Sequence, residues 1–284
     1  MDVTPTMDAL DFIDIARPQI APPDTAAPGD AAPSWRIARR MRRAHGDGLD
    51  KPGVVWLGGF NSDMLGAKAC FLDDWAKERG RALLRFDYSG HGESGGRFED
   101  GAIGDWLEQS VAVFERSTLG PQILVGASMG AWIALLLARR LAETGASNRL
   151  RGLVLLAPAV DFTQELLWNN LPDTARRHIE KRGVWRWPSR YSPQPIPITR
   201  RLVEEGRAHL LLGGVVRSHA PVHILQGMDD PDVPWRHALV LVERLCADPV
   251  VLTFIRDGDH RLSREADLAL LASAVEGVGE APGK

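Results

Sequence analysis

The chain has 284 residues, of which 44% are hydrophobic and 25% charged, with a formal net charge of −3. That composition fits a soluble globular protein and excludes a disordered one, and the near-neutral charge supplies no general drive toward nucleic acid or a membrane surface. No apolar run approaches bilayer length, the longest being 131–138, and Cys70 and Cys246 are too few for a disulfide framework.

The two cysteines read as buried small hydrophobes in a reducing compartment, so a cytoplasmic protein is expected. Residues 1–34 are rich in Asp, Pro and Ala, with neither the arginines of a transit peptide nor the apolar core of a secretory signal. They read as a flexible tail, with at most a short docked segment at 10–15. Five arginines follow within 36–43 (Arg36, Arg39, Arg40, Arg42, Arg43). Nothing else in the chain supports a polyanion site, so they read as one solvated strand of a hairpin turned at His45-Gly46-Asp47-Gly48, not as a nucleic-acid patch.

From Pro52 onward, short apolar runs at 54–57, 82–86, 123–125, 153–156, 222–225 and 250–255 alternate with helical patterns. Most of these runs are continuously apolar, as strands buried on both faces of a parallel sheet are. Leu65, Ala69, Leu72 and Ala76 recur at helical spacing, as do Trp235, Leu239, Val242 and Leu245, and Leu268, Leu271 and Val275. The alternation predicts an α/β fold: one doubly wound, mostly parallel sheet over 35–284. Residues 160–221 are too long for an ordinary connection, carry Trp168, Trp185 and Trp187, and read as a lid with helical stretches at 164–171 and 198–212.

Gly-x-Ser-x-Gly occurs twice, and only context separates the two. Gly126-Ala127-Ser128-Met129-Gly130 leaves a strand and opens a helical run, and its small residues allow the sharp turn that exposes a serine hydroxyl above a sheet. Gly92-Glu93-Ser94-Gly95-Gly96 lies in a polar loop, which makes Ser128 the nucleophile candidate. A serine needs a base, and among eight histidines His260 alone sits in a loop between the last strand and the last helix. The base needs an acid to hold its tautomer. Asp230 and Asp232 both follow the penultimate strand; spacing favours Asp230 and keeps Asp232 in reserve. Two N–H donors are needed for an oxyanion: that of Met129, after the nucleophile, and one from Leu57-Gly58-Gly59-Phe60-Asn61, where Phe60 is the choice. No phosphate-cradling Gly-x-x-x-x-Gly-Lys-Ser/Thr occurs, and neither metal nor cofactor is expected.

Several longer stretches go beyond these motifs: Arg85-Phe86-Asp87-Tyr88-Ser89-Gly90-His91-Gly92, Gly120 to Gly126, Gly183-Val184-Trp185-Arg186-Trp187-Pro188-Ser189-Arg190-Tyr191-Ser192, Gln226-Gly227-Met228-Asp229-Asp230 with Val233-Pro234-Trp235, and Asp259-His260-Arg261. From about Arg36 to the C-terminus the chain resembles the α/β-hydrolase (abhydrolase-domain) family, in the branch of a mitochondrial palmitoyl-protein thioesterase and acyl-glucuronide esterase. The resemblance implies Ser128 and His260 as nucleophile and base, and the family's Gly-x-x-Asp-x-x-Val-Pro pattern, laid on Gly227, Asp230, Val233 and Pro234, favours Asp230. His91 matches a loop histidine common in the fold, with no catalytic role implied. Asn61 stands where the family often has an aromatic or small residue, so contacts at the pocket mouth are expected to differ.

The expected function is hydrolysis of carboxylic thioesters or esters with an apolar acyl group, on a small molecule or an acylated protein. Asn61, Trp168, Trp185 and Trp187 are the expected substrate contacts. A ligand-binding pseudo-hydrolase, or an acyltransferase or lyase using the same serine, is the alternative.

Overall fold

The computed structural model describes residues 9–17, 34–190 and 193–280. Tyr191, Ser192 and most of the expected N-terminal tail lie outside them. In chain order the elements are β1 (Leu10–Ala16), β2 (Ser34–Arg42), β3 (Gly53–Leu57), α1 (Ala67–Glu78), β4 (Leu83–Phe86), α2 (Ile103–Ser117), β5 (Gln122–Ala127), α3 (Met129–Glu143), β6 (Leu150–Leu156), α4 (Asp173–Arg182), β7 (Val184–Trp187), β8 (Ile196–Thr199), α5 (Arg200–Gly206), β9 (Val222–Gly227), α6 (Trp235–Arg244), β10 (Val250–Ile255) and α7 (Glu265–Glu280). The eight-stranded sheet runs β1-β2-β4-β3-β5-β6-β9-β10. From β4 to β10 every pairing is parallel, and β2 joins β4 antiparallel.

The uninterrupted apolar runs follow from burial on both faces. Val54, Trp56, Ile123 and Val125 pack with Leu72 and Trp75 of α1 and Leu271 and Val275 of α7. Their neighbours Val55, Leu57 and Leu124 point the other way, into the layer of Trp106 and Phe114 from α2 and Trp132 and Leu136 from α3. The period-2 alternation of side chains thus feeds two apolar layers.

The arginine-rich stretch is a strand, but not of the expected hairpin. β2 pairs antiparallel with β1, Ile13 opposite Ile37, while Gly46–Gly48 forms a single 3-10 turn leading to β3. The segment expected only to dock is therefore an edge strand. Of its aspartates, which argued against structure, Asp11 is a partner for the arginines, meeting Arg39 at 2.7 Å. Arg40 pairs with Glu93 at 3.2 Å and Arg42 with Asp73 at 2.8 Å, so each of these three charges has an acidic partner. The cysteines also differ from expectation: Cys246, in the turn after α6, is exposed, and Cys70 is half-buried.

Between β6 and β9 the chain builds the lid. The stretch expected as a helix at 164–171 is a π-type turn over Thr163–Leu167 followed by a 3-10 turn over Trp168–Asn170. The one expected at 198–212 begins in β8, where Ile198 pairs with Trp185 of β7. It becomes α5 only where the Thr199 side chain accepts the N–H of Leu202 at 3.0 Å. Leu167, Leu171, Ile179, Ile198 and Leu202 of the lid join the layer under α2 and α3. Polar anchors fix the lid to the same helices: Arg201 pairs with Asp105, Gly104 N–H donates to Glu205 at 3.0 Å, and Trp132 Nε1–H donates to the His209 carbonyl at 3.1 Å.

Candidate active site

The strand order reverses around β3, with β4 on one side and β5 on the other. Such a switch point opens a crevice at the carboxyl ends of the strands. Loops leaving β3, β5, β9 and β10 carry Phe60, Ser128, Asp230 and His260 into one place, where a cavity of about 340 Å³ is lined in part by Phe60, Ser128, Met129 and His260.

Ser128 sits in the turn between β5 and α3 at φ 54°, ψ −118°, a conformation that costs a non-glycine residue of order 1–3 kcal/mol and persists only where its surroundings enforce it. Those surroundings are close backbone contacts. A Cβ on Gly126 would lie 2.4 Å from the Gly130 carbonyl oxygen, and one on Gly130 would lie 2.1 Å from that of Leu57. The flanking glycines let helix and strand approach, and Ser128 N–H is held by the Leu156 carbonyl at 2.9 Å. The hydroxyl then faces His260, whose Nε2 lies 3.1 Å from Ser128 Oγ. On the other side of the ring, Nδ1 is 2.8 Å from Asp230 Oδ2. Asp230's side chain is fully buried, and its other oxygen accepts the N–H groups of Asp232 and Val233, each at 2.8 Å. Of the two candidate acids, Asp230 is the one at 2.8 Å from His260 Nδ1; Asp232 donates its backbone N–H to Asp230 and lines the cavity rim. This arrangement fixes an imidazole with Nδ1–H toward the carboxylate and a free Nε2 lone pair toward the serine, the geometry in which a hydroxyl can lose its proton as it attacks.

Phe60 follows the glycine pair of the β3–α1 loop. A Cβ on Gly59 would lie 3.4 Å from Ser128 Cβ, so the loop runs directly against the serine turn. Among the described residues, neither Phe60 N–H nor Met129 N–H donates to a protein acceptor. The Asn61 N–H, by contrast, donates to His91 Nε2 at 3.2 Å.

The expected aromatic wall divides. Trp187 lines the cavity with Phe162, Leu166, Leu167 and Ile196, whereas Trp168, Trp185 and Asn61 do not. The cause is register. Trp187 pairs with Ile196 at the end of the β7–β8 hairpin over the cavity, while Trp185 pairs with the buried Ile198 further back. Trp168 lies under the Arg207 guanidinium, 5.2 Å from its centre, and Asn61 is exposed. Phe162, Leu166 and Leu167 were missed because they sit in a π-type turn, where no helical spacing marks which side faces inward. Ser94 ties its loop to β2, accepting the Ala38 N–H at 2.8 Å. The other histidines with contacts are locally satisfied: His209 meets Glu205, His223 meets Thr253, and His237 meets the Val160 carbonyl.

Asp230, Asp232 and His260 would also bring metal-ligating atoms within 4.8 Å of one another. Asp230 and His260 already spend those atoms on each other and on backbone N–H groups, so an ion would have to displace these bonds. No described helix is long and apolar enough to cross a membrane.

Fold and crevice together define an α/β hydrolase, and the comparisons agree. Residues 51–230 match the family model described as serine aminopeptidase, S33. The mitochondrial palmitoyl-protein thioesterase ABHD10 of Bos taurus is 34% identical over 228 residues, 79% of this chain and 72% of that protein. Its Homo sapiens counterpart is 32% identical over 226 residues. A crystal structure from Agrobacterium vitis S4, assigned as a hydrolase, is 44% identical with a TM-score of 0.85, covering 96% of this chain and 100% of that one. The mouse α/β hydrolase domain-containing protein 10 is 28% identical with a TM-score of 0.77, covering 94% and 98%. The chain belongs to this serine aminopeptidase S33 family of hydrolases, and the ABHD10 thioesterases are its relatives.

Proposed function

We propose that the protein hydrolyses carboxylic thioesters or esters with an apolar acyl group through Ser128, His260 and Asp230. The observation that carries the proposal is the unbroken hydrogen-bond chain from Asp230 through His260 to Ser128, opening into a cavity walled by Phe60, Phe162, Leu166, Leu167 and Trp187.

Ser128 Oγ attacks the substrate carbonyl carbon while His260 Nε2 takes the hydroxyl proton. Asp230 stabilises the imidazolium and keeps Nδ1 protonated. Negative charge gathers on the former carbonyl oxygen, where the N–H groups of Phe60 and Met129 hold it; each such donor contributes about 3 kcal/mol in the transition state. Met129 adds the positive end of α3. Collapse of the intermediate breaks the bond to the leaving thiolate or alkoxide, which takes its proton from His260. Water, deprotonated by His260, then attacks the acyl-enzyme and releases the acid. The thioesterase names of the relatives support an acylated protein or small thioester as substrate. Those relatives are named mitochondrial, so the cytoplasmic location expected from the sequence stays part of the proposal.

Initial rates on acyl thioesters and oxygen esters of matched chain length, with Ser128→Ala as blank, test this reading. Turnover on long-chain substrates that Ser128→Ala loses by about 10⁴-fold or more is expected. Equal rates in both proteins on every substrate would overturn it, and would favour a ligand-binding role.

A further inference from the structure

His91 lies in the loop after β4, is 4% exposed, and has no part in the chemistry above. Its surroundings point to the β3–α1 loop. Nδ1 lies 3.2 Å from the Ser89 carbonyl, a contact that requires Nδ1–H and leaves Nε2 as an acceptor. That lone pair receives the Asn61 N–H at 3.2 Å. The ring is wedged between Phe98 at 5.0 Å and Trp106 at 5.1 Å. The same two rings hold the Phe60 side chain, at 4.9 and 6.0 Å. One aromatic cluster therefore grips both Phe60 and the histidine that binds the next amide.

The peptide that matters joins Gly59 to Phe60, because it carries the Phe60 N–H. Its carbonyl is pinned from the far side by the Ser62 hydroxyl at 2.9 Å. Asn61 is in the left-handed region at φ 55°, where a non-glycine residue stays only if something holds it. Two anchors thus flank the peptide: Ser62 on the Gly59 carbonyl and His91 on the Asn61 N–H.

We infer that His91 is a positioning residue: by accepting the Asn61 N–H it locks the Gly59–Phe60 peptide with the Phe60 N–H turned toward Ser128, ready for the developing oxyanion. The inference rests on the hydrolase reading above. Burial, which holds the imidazole down to a pKa of about 4, keeps Nε2 unprotonated at neutral pH and so keeps it an acceptor. Without the acceptor, only Ser62, through its hydroxyl and its N–H on the Gly59 carbonyl, opposes a peptide rotation that would point the N–H away. The preorganised donor would then have to be recovered in each turnover.

Three variants separate this role from simple packing. His91→Phe keeps an aromatic ring and removes the acceptor. His91→Asn keeps a donor near the Nδ1 position but does not reach Asn61. His91→Gln places a carbonyl oxygen near the Nε2 position. With wild-type turnover in hand, the expected result is a kcat about 10- to 100-fold lower in His91→Phe and His91→Asn, KM within about threefold, and most of kcat restored in His91→Gln. The rate at which a fluorophosphonate modifies Ser128 should fall and recover in the same order. A kcat unchanged in His91→Phe and His91→Asn would overturn the inference while leaving the hydrolase intact. So would His91→Gln as inactive as His91→Asn. A wild type that neither turns over ester or thioester nor reacts with the fluorophosphonate would overturn the hydrolase reading itself, and this inference with it.

Discussion

Asp230 and His260 meet at 2.8 Å, and the carboxylate does so with its other oxygen already committed to the N–H groups of Asp232 and Val233. The loop after β9 therefore folds around Asp230 and leaves Asp232 at the cavity rim. Asp230→Asn is expected to lower kcat by about 10⁴-fold, because an amide in that place stabilises the wrong tautomer of His260. Asp232→Asn should stay within a few-fold of wild type, since the variant keeps the backbone N–H that Asp232 gives the buried carboxylate. Steady-state kinetics of the two variants on one ester decide between the neighbours.

The β7–β8 hairpin makes two tryptophans on one face unequal. Trp187 overhangs the cavity with Ile196, whereas Trp185 sits opposite fully buried Ile198. Trp187→Ala should raise KM for long acyl chains about 5- to 10-fold and leave short ones almost unaffected, since each lost methylene contact forfeits up to about 0.8 kcal/mol. Trp185→Ala should lower thermal stability instead, with chain-length preference retained. A chain-length series for both proteins, beside their melting curves, checks this.

The parallel core was legible because a strand buried on both faces selects apolar residues throughout: the runs beginning at Val54, Ile123 and Leu153 are apolar at every step. The serine turn was legible for a related reason, since close backbone approach at Gly126 and Gly130 excludes side chains. Edges and lid were not. β1 sets Asp11 and Asp14 around Phe12 and Ile13, and Asp11 makes sense only beside Arg39 of a strand more than twenty residues on. In the lid, whether a tryptophan faces acyl chain or core depends on hairpin register, which no local pattern encodes.

Ile15 of β1 and Trp35 of β2 are 4% and 6% exposed, and β1 covers the outer edge of β2. A chain lacking residues 1–17 should therefore melt about 4–5 °C lower, the effect of losing roughly 2–3 kcal/mol in a domain of this size. Its kcat should change less than twofold, because every residue of the proposed reaction lies on the far strands. Calorimetry and initial rates on the truncated protein test both halves. An unchanged melting temperature would mean that β1 adds no net stability.

His91 also sets a pH dependence of stability whose sign is fixed by its burial. Its folded pKa is held down to about 4 against an ordinary 6.5, so between those values the unfolded chain binds a proton that the folded one does not. Stability therefore rises with pH across that window: the contribution is fully present above about pH 6.5, falls as pH drops, and is gone below about pH 4. At 1.36 kcal/mol per pH unit the whole loss is roughly 3 kcal/mol. His91→Phe has no such proton to bind. Asp87, whose carboxyl is pushed up by burial, lies nearby in both proteins and cancels in the comparison. Urea unfolding of wild type and His91→Phe at pH 7 and pH 4.5 should show the difference between them shifting by about 2–3 kcal/mol toward the variant at the lower pH. The same difference at both pH values would mean that His91 titrates as an exposed histidine does.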